Sequence, residues 1–527
     1  MNAPLASIAQ QILWSRLISV VEEQARTLMK VAFSPTVREA GDLSSGLFDA
    51  NGRMIAQAVT GTPGHVNAMA VAARHFLDAY PADAMREGDH FITNDPWMVS
   101  GHLHDVTVFS PVFRHGKPIA FFACTCHQVD IGGLGMGPDG RSIFEEGLYI
   151  PILPIARGGK INEELLRLIR VNVRTPDEVE GDILAYVTAN EVSARRLNET
   201  LDEFGLSDVR EAADNIIEVS RRGMQQAIAA LPEGVYRNEM RIDGYDKPVD
   251  LHVSLTIKGG SSILIDFAGT SPASARGINL VLNYTRAYAS YGVRAIIAPD
   301  IPNNEGSLSP IEVTAPIGSI LNVERPAPVC ARHIIGQFLP EVVLGCLADI
   351  KPDLVPAEGA SCNWGLQLRG IAERRPFNIL FFNAGGTGAR PSQDGLSATS
   401  FPSGIRSIPV EICETVAPIV IHRKELIDGS GGTGLYQGGL GQRVEVGTVD
   451  GSPFELFAVF DRVENPARGR AGGNSGASGR VETVSGKALQ AKGLQQIPAG
   501  ESVRIDTPGG GGFGEAVLVP RGAARLT

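Results

Sequence analysis

Apolar residues recur at helical spacing near the start of the chain. Ile12, Leu13, Leu17, Ile18, Val21, Ala25, Leu28 and Met29 share one face, which predicts a long amphipathic helix over 5–33. The pattern then shortens, and residues 40–57 read as a β-hairpin turning at Asp49-Ala50-Asn51-Gly52. Gly64-His65 leads into a helix reaching about Tyr80, with Asn67 suited to cap it. Val106 to Phe113 and Pro118 to Cys126 are rich in branched and aromatic residues and read as paired strands, joined by a turn at Arg114-His115-Gly116-Lys117. Residues 161–231 return to helical periodicity. Strand alternation resumes over 236–242, 249–257 and 262–267, followed by an apolar helix from about 283 to 298. Proline-rich material at 299–329 marks an irregular crossing, and 332–347 reads as a buried helix. Beyond 405, short strands alternate with glycine turns. The fold class is therefore α+β with several subdomains: a 1–160 α+β region, a 161–232 helical segment, a 233–404 central α+β region and a 405–527 β-rich region.

The hairpin matters because of what sits at its ends. His102, His104, Asp105, His127 and Asp130 fall within 29 consecutive positions of a chain with 10 histidines. Imidazole and carboxylate are ligands for borderline and hard divalent ions, and a two-His, one-carboxylate set leaves positions open for water or substrate. Folding 106–126 as a hairpin would return His127 to the level of Asp105, so ligands distant in sequence would meet. No fixed metal signature such as HExxH is present. From the residues alone, a metal site and a pair of satisfied polar strand ends both remain open.

Composition removes several alternatives. The net charge of -11, without long acidic runs, argues against a nucleic-acid partner, whose phosphates require clustered Lys and Arg. No apolar run reaches the ~18 residues that span a bilayer, and the N-terminus lacks the pattern of a secretion signal. Six scattered cysteines fit reduced thiols, and a cytoplasmic location is expected. Cys124-Thr125-Cys126 on a strand would turn both thiols to one face and His127 to the other, so the pair reads as two buried thiols rather than zinc ligands. Gly385–Gly388 and Gly429–Gly434 look like phosphate-cradling loops, but no Lys-Ser or Lys-Thr follows at P-loop spacing. Gly135–Gly140 matches GxGxxG only by letter and reads as a turn. ATP binding by this chain is not expected.

A set of segments running through the chain resembles the hydantoinase B family. They include Asp42–Gln57, Thr93–Trp97, His102–Val106, His127–Gly133, Glu145-Glu146-Gly147, Gly385–Arg390, Asp428–Gly434 with Gly438–Gly441, and Thr507–Gly514. The resemblance implies the large metal-bearing subunit of an ATP-dependent cyclic-amide hydrolase of hydantoinase, oxoprolinase or lactamase type. It implies a divalent ion, Mn or Zn, held by Asp42, His102, Asp105 and His127, with Asp130 or His65 handling a proton. It also implies that ATP is bound by a hydantoinase A-type ATPase partner rather than by this chain, in a hetero-oligomer with paired copies. The family usually carries Pro where this chain has His104, which makes His104 a neighbour of the site. The family often carries His where this chain has Gln128, whose role is then open. Two alternatives stand beside the hydrolase: a subunit of an acetone-type carboxylase, and a non-catalytic scaffold.

Overall fold

The computed structural model describes residues 3–59, 62–361 and 363–516, so residues 517–527 of the C-terminal region lie outside the described residues. A seven-stranded sheet forms the N-terminal part. Its strands are β1 (Leu43–Asp49), β2 (Met54–Gln57), β3 (His90–Thr93), β4 (Asp105–Arg114), β5 (Lys117–His127), β6 (Leu153–Arg157) and β7 (Lys160–Ile161), in the order β2-β1-β5-β4-β3-β6-β7. The centre of β4 and β5 is buried on both faces, which explains their near-continuous apolar sequence. One face, including Val106, Val108, Phe122, Cys124 and Cys126, packs under the long helices Ala3–Val31 and Pro176–Glu203. The other face, including Phe48, Phe91, Phe109 and Phe121, packs under the helix Pro63–Ala79.

The β4–β5 turn shows local sequence dictating register. His115 and Gly116 both adopt positive φ (51° and 74°), the combination that the tight turn of a two-residue hairpin demands. Arg114 then pairs with Lys117, and after a one-residue bulge at Val112/Phe113 the ladder runs to Asp105 opposite His127. The two ends foreseen as neighbours are cross-strand partners.

A second sheet, in the order β11-β10-β9-β8, contains β8 (Gly234–Ile242), β9 (Val249–Lys258), β10 (Ser262–Asp266) and β11 (Ile311–Thr314). It packs with the helices Leu282–Ile297 and Leu339–Leu347 in one large core. The helix expected over 332–347 is divided into His333–Gly336 and Leu339–Leu347. Pro340 is the reason: it has no amide hydrogen to give and its ring crowds the carbonyl four residues back, so it begins a new helix. Likewise the Pro63–Ala79 helix starts before Asn67, with Pro63 in the first turn. Asn67 is not its cap but points across to the Ala287 carbonyl.

The C-terminal part holds β12 (Trp364–Ala372), β13 (Arg375–Asn383), β14 (Ile419–Leu426), β15 (Gln442–Thr448), β16 (Phe454–Val459), β17 (Arg480–Thr483), β18 (Lys492–Ile497) and β19 (Val503–Asp506). They form two four-stranded sheets, β13-β12-β16-β18 and β14-β15-β19-β17. The first of these crosses the 404/405 boundary drawn from sequence.

Between these sheets the glycine-rich segments do something that turns do not. Extended strings containing Gly386, Gly432, Gly439, Asn474 and Gly510–Gly512 lie side by side. Gly432 donates to Gly510 O (2.8 Å), Gly510 to Gly439 O (3.0 Å), Gly439 to Thr387 O (2.9 Å) and Gly512 to Asn474 O (2.8 Å). A Cβ on Gly386 would sit 1.8 Å from Gly439 O, and one on Gly510 would sit 1.9 Å from Thr387 O. Only glycine lets backbones approach this closely. These amides are already bonded to carbonyls, so the strings make no phosphate cradle.

Candidate metal centre

The site gathers at the end of the β4–β5 hairpin. His102 comes from the loop entering β4, Asp105 from the first residue of β4, His127 from the end of β5, and Asp42 from the residue before β1. The His127 amide donates to Asp42 O (3.2 Å), which ties the ends of β1 and β5 together. His65 arrives from the first turn of the Pro63–Ala79 helix. Gly64 makes that approach possible, since a Cβ there would lie 2.3 Å from the Tyr284 ring and 2.7 Å from the Tyr288 ring. Tyr284, Tyr288, Arg332 and His333 close the far side around a cavity of ≈ 30 Å³. All five residues Asp42, His65, His102, Asp105 and His127 border that cavity.

Asp105 is the hub. Its side chain is wholly buried and meets His102 Nε2 at 2.7 Å, His65 Nε2 at 2.9 Å and His127 Nδ1 at 3.1 Å. Arg332 donates to Oδ2, the oxygen that also faces His65, while stacking its guanidinium 4.0 Å from the centre of the Tyr284 ring. Burial opposes ionisation of Asp105, but its charged neighbours, His65 and Arg332 among them, outweigh it and hold the carboxyl well below the usual range. Burial also works against the charged form of His65, yet Asp105 and Asp42 overcome it and raise its pKa. Asp42 titrates high because burial outweighs its neighbouring histidines.

His102 supplies the test of whether these residues suit a metal. Its Nδ1 lies 2.7 Å from the Cys330 carbonyl, an atom that can only accept, so Nδ1 carries the proton. Burial and the nearby Arg332 depress its pKa to about 3, which leaves the ring neutral at pH 7. Nε2 then presents a lone pair to an ionised carboxylate oxygen 2.7 Å away. Two acceptors at that distance repel unless a cation or a proton lies between them, and a proton is held only in acid. One ligand atom each from His102, Asp105 and His127 lie within 4.8 Å of one another. Asp42 Oδ1 and His127 Nε2 are buried without a hydrogen-bond partner, a condition native structures rarely tolerate unexplained. The residues present fit a divalent cation, and the carbonyl-anchored imidazole is the usual way a ligating histidine is oriented.

The other foreseen candidates lie elsewhere. Asp130 does not reach the cavity: its oxygens take the Gly132 amide (3.1 Å), the Arg174 guanidinium (2.7 Å) and the Arg174 amide. His104 neighbours the site, its ring stacked on His127 with centroids 5.4 Å apart and its Nδ1 3.8 Å from Cys330 Sγ. Burial, followed by His127, holds its pKa far below normal. The Gln128 side chain donates to Tyr186 Oη in the helical layer, away from the cavity. Cys124 and Cys126 are buried free thiols facing the helices, on the face opposite His127. Trp97 is half-buried away from the cavity, its Nε1 donating to the Val323 carbonyl (2.9 Å), with Arg325 lying over its ring and over that of Tyr149. Arg332, His333, Tyr284 and Tyr288 at the cavity wall were not foreseen from the sequence. A hint was present in Val329-Cys330-Ala331-Arg332-His333, two basic residues inside an otherwise apolar run.

Comparison with known proteins agrees with the fold and the motifs. The hydantoinase B/oxoprolinase family model matches residues 6–516. One of the subunits of a putative D-/L-hydantoinase from a Pseudomonas strain is 28% identical, over 96% of this chain and 90% of its own length. The crystal structure of the ATP-dependent caprolactamase from Pseudomonas jessenii superposes with a TM-score of 0.88 at 25% identity, covering 97% of this chain and 92% of that one. The nucleotide-free structure of an acetone carboxylase shares the fold, with a TM-score of 0.85 at 21% identity over 97% and 76%. Among the described residues no helix is long and apolar enough to cross a membrane.

Proposed function

Because the chain belongs to the hydantoinase B/oxoprolinase family, we propose that it is the metal-bearing subunit of an ATP-dependent cyclic-amide hydrolase. The observation that carries the reading is the lone-pair pairing of His102 Nε2 with Asp105 Oδ1, set in a buried cluster with Asp42 and His127. Unstrained five-membered amides resist hydrolysis because resonance stabilises the ground state. In this reading a partner ATPase phosphorylates the carbonyl oxygen and this chain receives the activated species. A Mn or Zn ion held by Asp42, His102, Asp105 and His127 would supply Lewis acidity, lowering the pKa of water toward neutrality. Arg332 places fixed positive charge beside the cavity, which favours an anionic, phosphorylated substrate over a neutral one. His65 is held at Nε2 by Asp105, and its Nδ1 has no hydrogen-bond partner. It is therefore the group placed to hand on a proton, at Nδ1. Tyr284 and Tyr288 wall the cavity with aromatic surface and limit bulk water. The complex would work in the cytoplasm, with this chain and its partner in paired copies.

Reconstitution tests the proposal. The chain, with its ATPase partner and ATP, is offered hydantoins, oxoproline, larger lactams and simple ketones, each with and without bicarbonate, and products are identified by mass. Ring-opened amino or ureido acids formed without bicarbonate are expected. A gain of one CO2 on a ketone, only with bicarbonate, would replace the hydrolase with a carboxylase. Full turnover by His102→Ala would remove the metal assignment.

A further inference from the structure

Behind the metal centre lies a buried carboxyl group that the proposed chemistry does not use. Glu146 follows the short helical turn Ile143–Glu145 and is 2% exposed. Its Oε1 accepts two backbone amides, from Val329 (2.7 Å) and Cys330 (2.9 Å). Its Oε2 is buried with no partner. The chamber around it admits nothing larger: a Cβ on Gly140 would lie 3.1 Å from its Cγ, and one on Gly277 would lie 3.0 Å from Oε1.

What Glu146 holds is the loop that serves the centre. The carbonyl of Cys330 accepts from His102 Nδ1 (2.7 Å). Two residues on, Arg332 reaches Asp105 and also donates from Nε to the Ser100 carbonyl, in the loop that carries His102. The next residue, His333, borders the cavity. A second tie, from the Ala331 amide to Gly277 O (2.7 Å), keeps the loop's far side in place. A single carboxyl oxygen therefore fixes the two peptides that lead into Cys330, whose carbonyl, in the next peptide with the Ala331 amide, decides which nitrogen of His102 bears the proton.

We infer that Glu146 is a positioning residue of the metal centre, acting through the Val329–Cys330 amides to fix the tautomer of His102 and the placement of Arg332. Burial pushes its pKa up to about 8, so it holds the loop largely as a neutral acid at pH 7. The role then depends on an acceptor oxygen at the right reach, not on a negative charge. That makes a discriminating series available. Glu146→Gln keeps the acceptor and the length. Glu146→Asp keeps the carboxyl but withdraws it by one methylene. Glu146→Leu keeps the bulk and removes the acceptor.

The inference rests on the metal reading for its consequence but not for its geometry, and the experiment separates the two. Ring-nitrogen NMR of the whole chain, labelled with 15N-histidine and free of metal, reports the His102 tautomer, with the signal assigned by its loss in His102→Gln. Wild type and Glu146→Gln should show a single Nδ1-protonated form. Glu146→Asp and Glu146→Leu should show it lost or mixed. Titration with Mn2+ as probe should then give Glu146→Gln near wild type and the other two weaker by about 10–100-fold. Should Glu146→Leu fail to fold, Glu146→Asp decides the matter. An unchanged His102 tautomer in Glu146→Asp or a folded Glu146→Leu would overturn the inference, and so would wild-type Mn2+ affinity in both. If the wild-type chain binds no Mn2+ while the tautomer follows the expected series, the metal reading falls and the positioning role of Glu146 stands.

Discussion

Replacing Asp105 by Asn should do more damage than replacing Asp42 by Asn, although both carboxylates border the same cavity. Asp105 is the counter-charge for Arg332, whose side chain is 3% exposed, and it also faces three histidines at 2.7–3.1 Å. Neutralising it leaves a buried guanidinium unpaired, which costs roughly 3–5 kcal/mol. Asp42 is different. Its Oδ1 has no hydrogen-bond partner and burial already raises its pKa, so an uncharged isostere should change stability by less than about 1 kcal/mol. The assay is guanidinium unfolding of the metal-free chain, followed by circular dichroism at its first transition. At slopes of several kcal/mol per molar, Asp105→Asn should lower the midpoint on the order of 0.5–1 M while Asp42→Asn leaves it in place. Both variants should lose Mn2+ affinity. Equal midpoints for the two variants would refute the view that Asp105 alone is the structural hub of the site.

Three further outcomes follow from other residues. Glu146 titrates near 8 in the folded chain against an ordinary value near 4.5, so between those pH values the native state keeps a proton that the unfolded chain has released. Glu146 should contribute a fall in stability as pH rises through that window, of at most about 1.4 kcal/mol per pH unit, and Glu146→Gln should remove that share while leaving the part due to Glu178 and Glu341, which burial also pushes up to about 7. Parallel stability–pH curves for the two proteins would contradict it. Gly386→Ala puts a methyl group 1.8 Å from a backbone oxygen and should cost about 3 kcal/mol or more. Gly486→Ala meets nothing within 4 Å and should cost only the roughly 1–2 kcal/mol of its positive φ. Thermal denaturation ranks the two, and equal losses would argue against tight packing of the strings. Asp130→Asn should leave Mn2+ binding within about 3-fold of wild type, because that carboxylate is engaged by Arg174; a larger loss would bring Asp130 back into the site.

Much of the centre was legible because it is local. A ten-residue strand, a two-residue turn and an eleven-residue strand bring His127 back to Asp105, and period-two alternation turns Cys126 away as His127 turns in. What could not be read depended on distant packing. Arg332 reaches Asp105 across 227 positions, and only the folded core sets their separation. Asp130 looked like a functional carboxylate because no counter-charge lies near it in sequence; Arg174, 44 residues on, supplies one in the structure. The glycine strings were mistaken for turns for the same reason. Their hydrogen-bond partners lie in other strings, and a glycine's local preferences say nothing about which backbone lies beside it.

Those strings also bear on synthesis. Gly509–Gly512 lies among segments containing Glu358, Thr387, Ser430 and Asn474, and donates to or accepts from backbones in several of them. The strings contribute almost no side-chain surface, so hydrophobic collapse gives them little order of their own. At about 5–20 residues per second, Gly512 leaves the ribosomal catalytic centre on the order of 25–100 s after initiation. Until then the strings at 385–388, 431–439 and 469–476 lack a central member, and the amides that bond to it, such as those of Gly432 and Arg470, must bond to water. The seven-stranded sheet, complete by Ile161, can form long before that moment. Translation thus orders the events, with the β4–β5 hairpin able to fold early and the glycine bundle closing only when its last thread arrives.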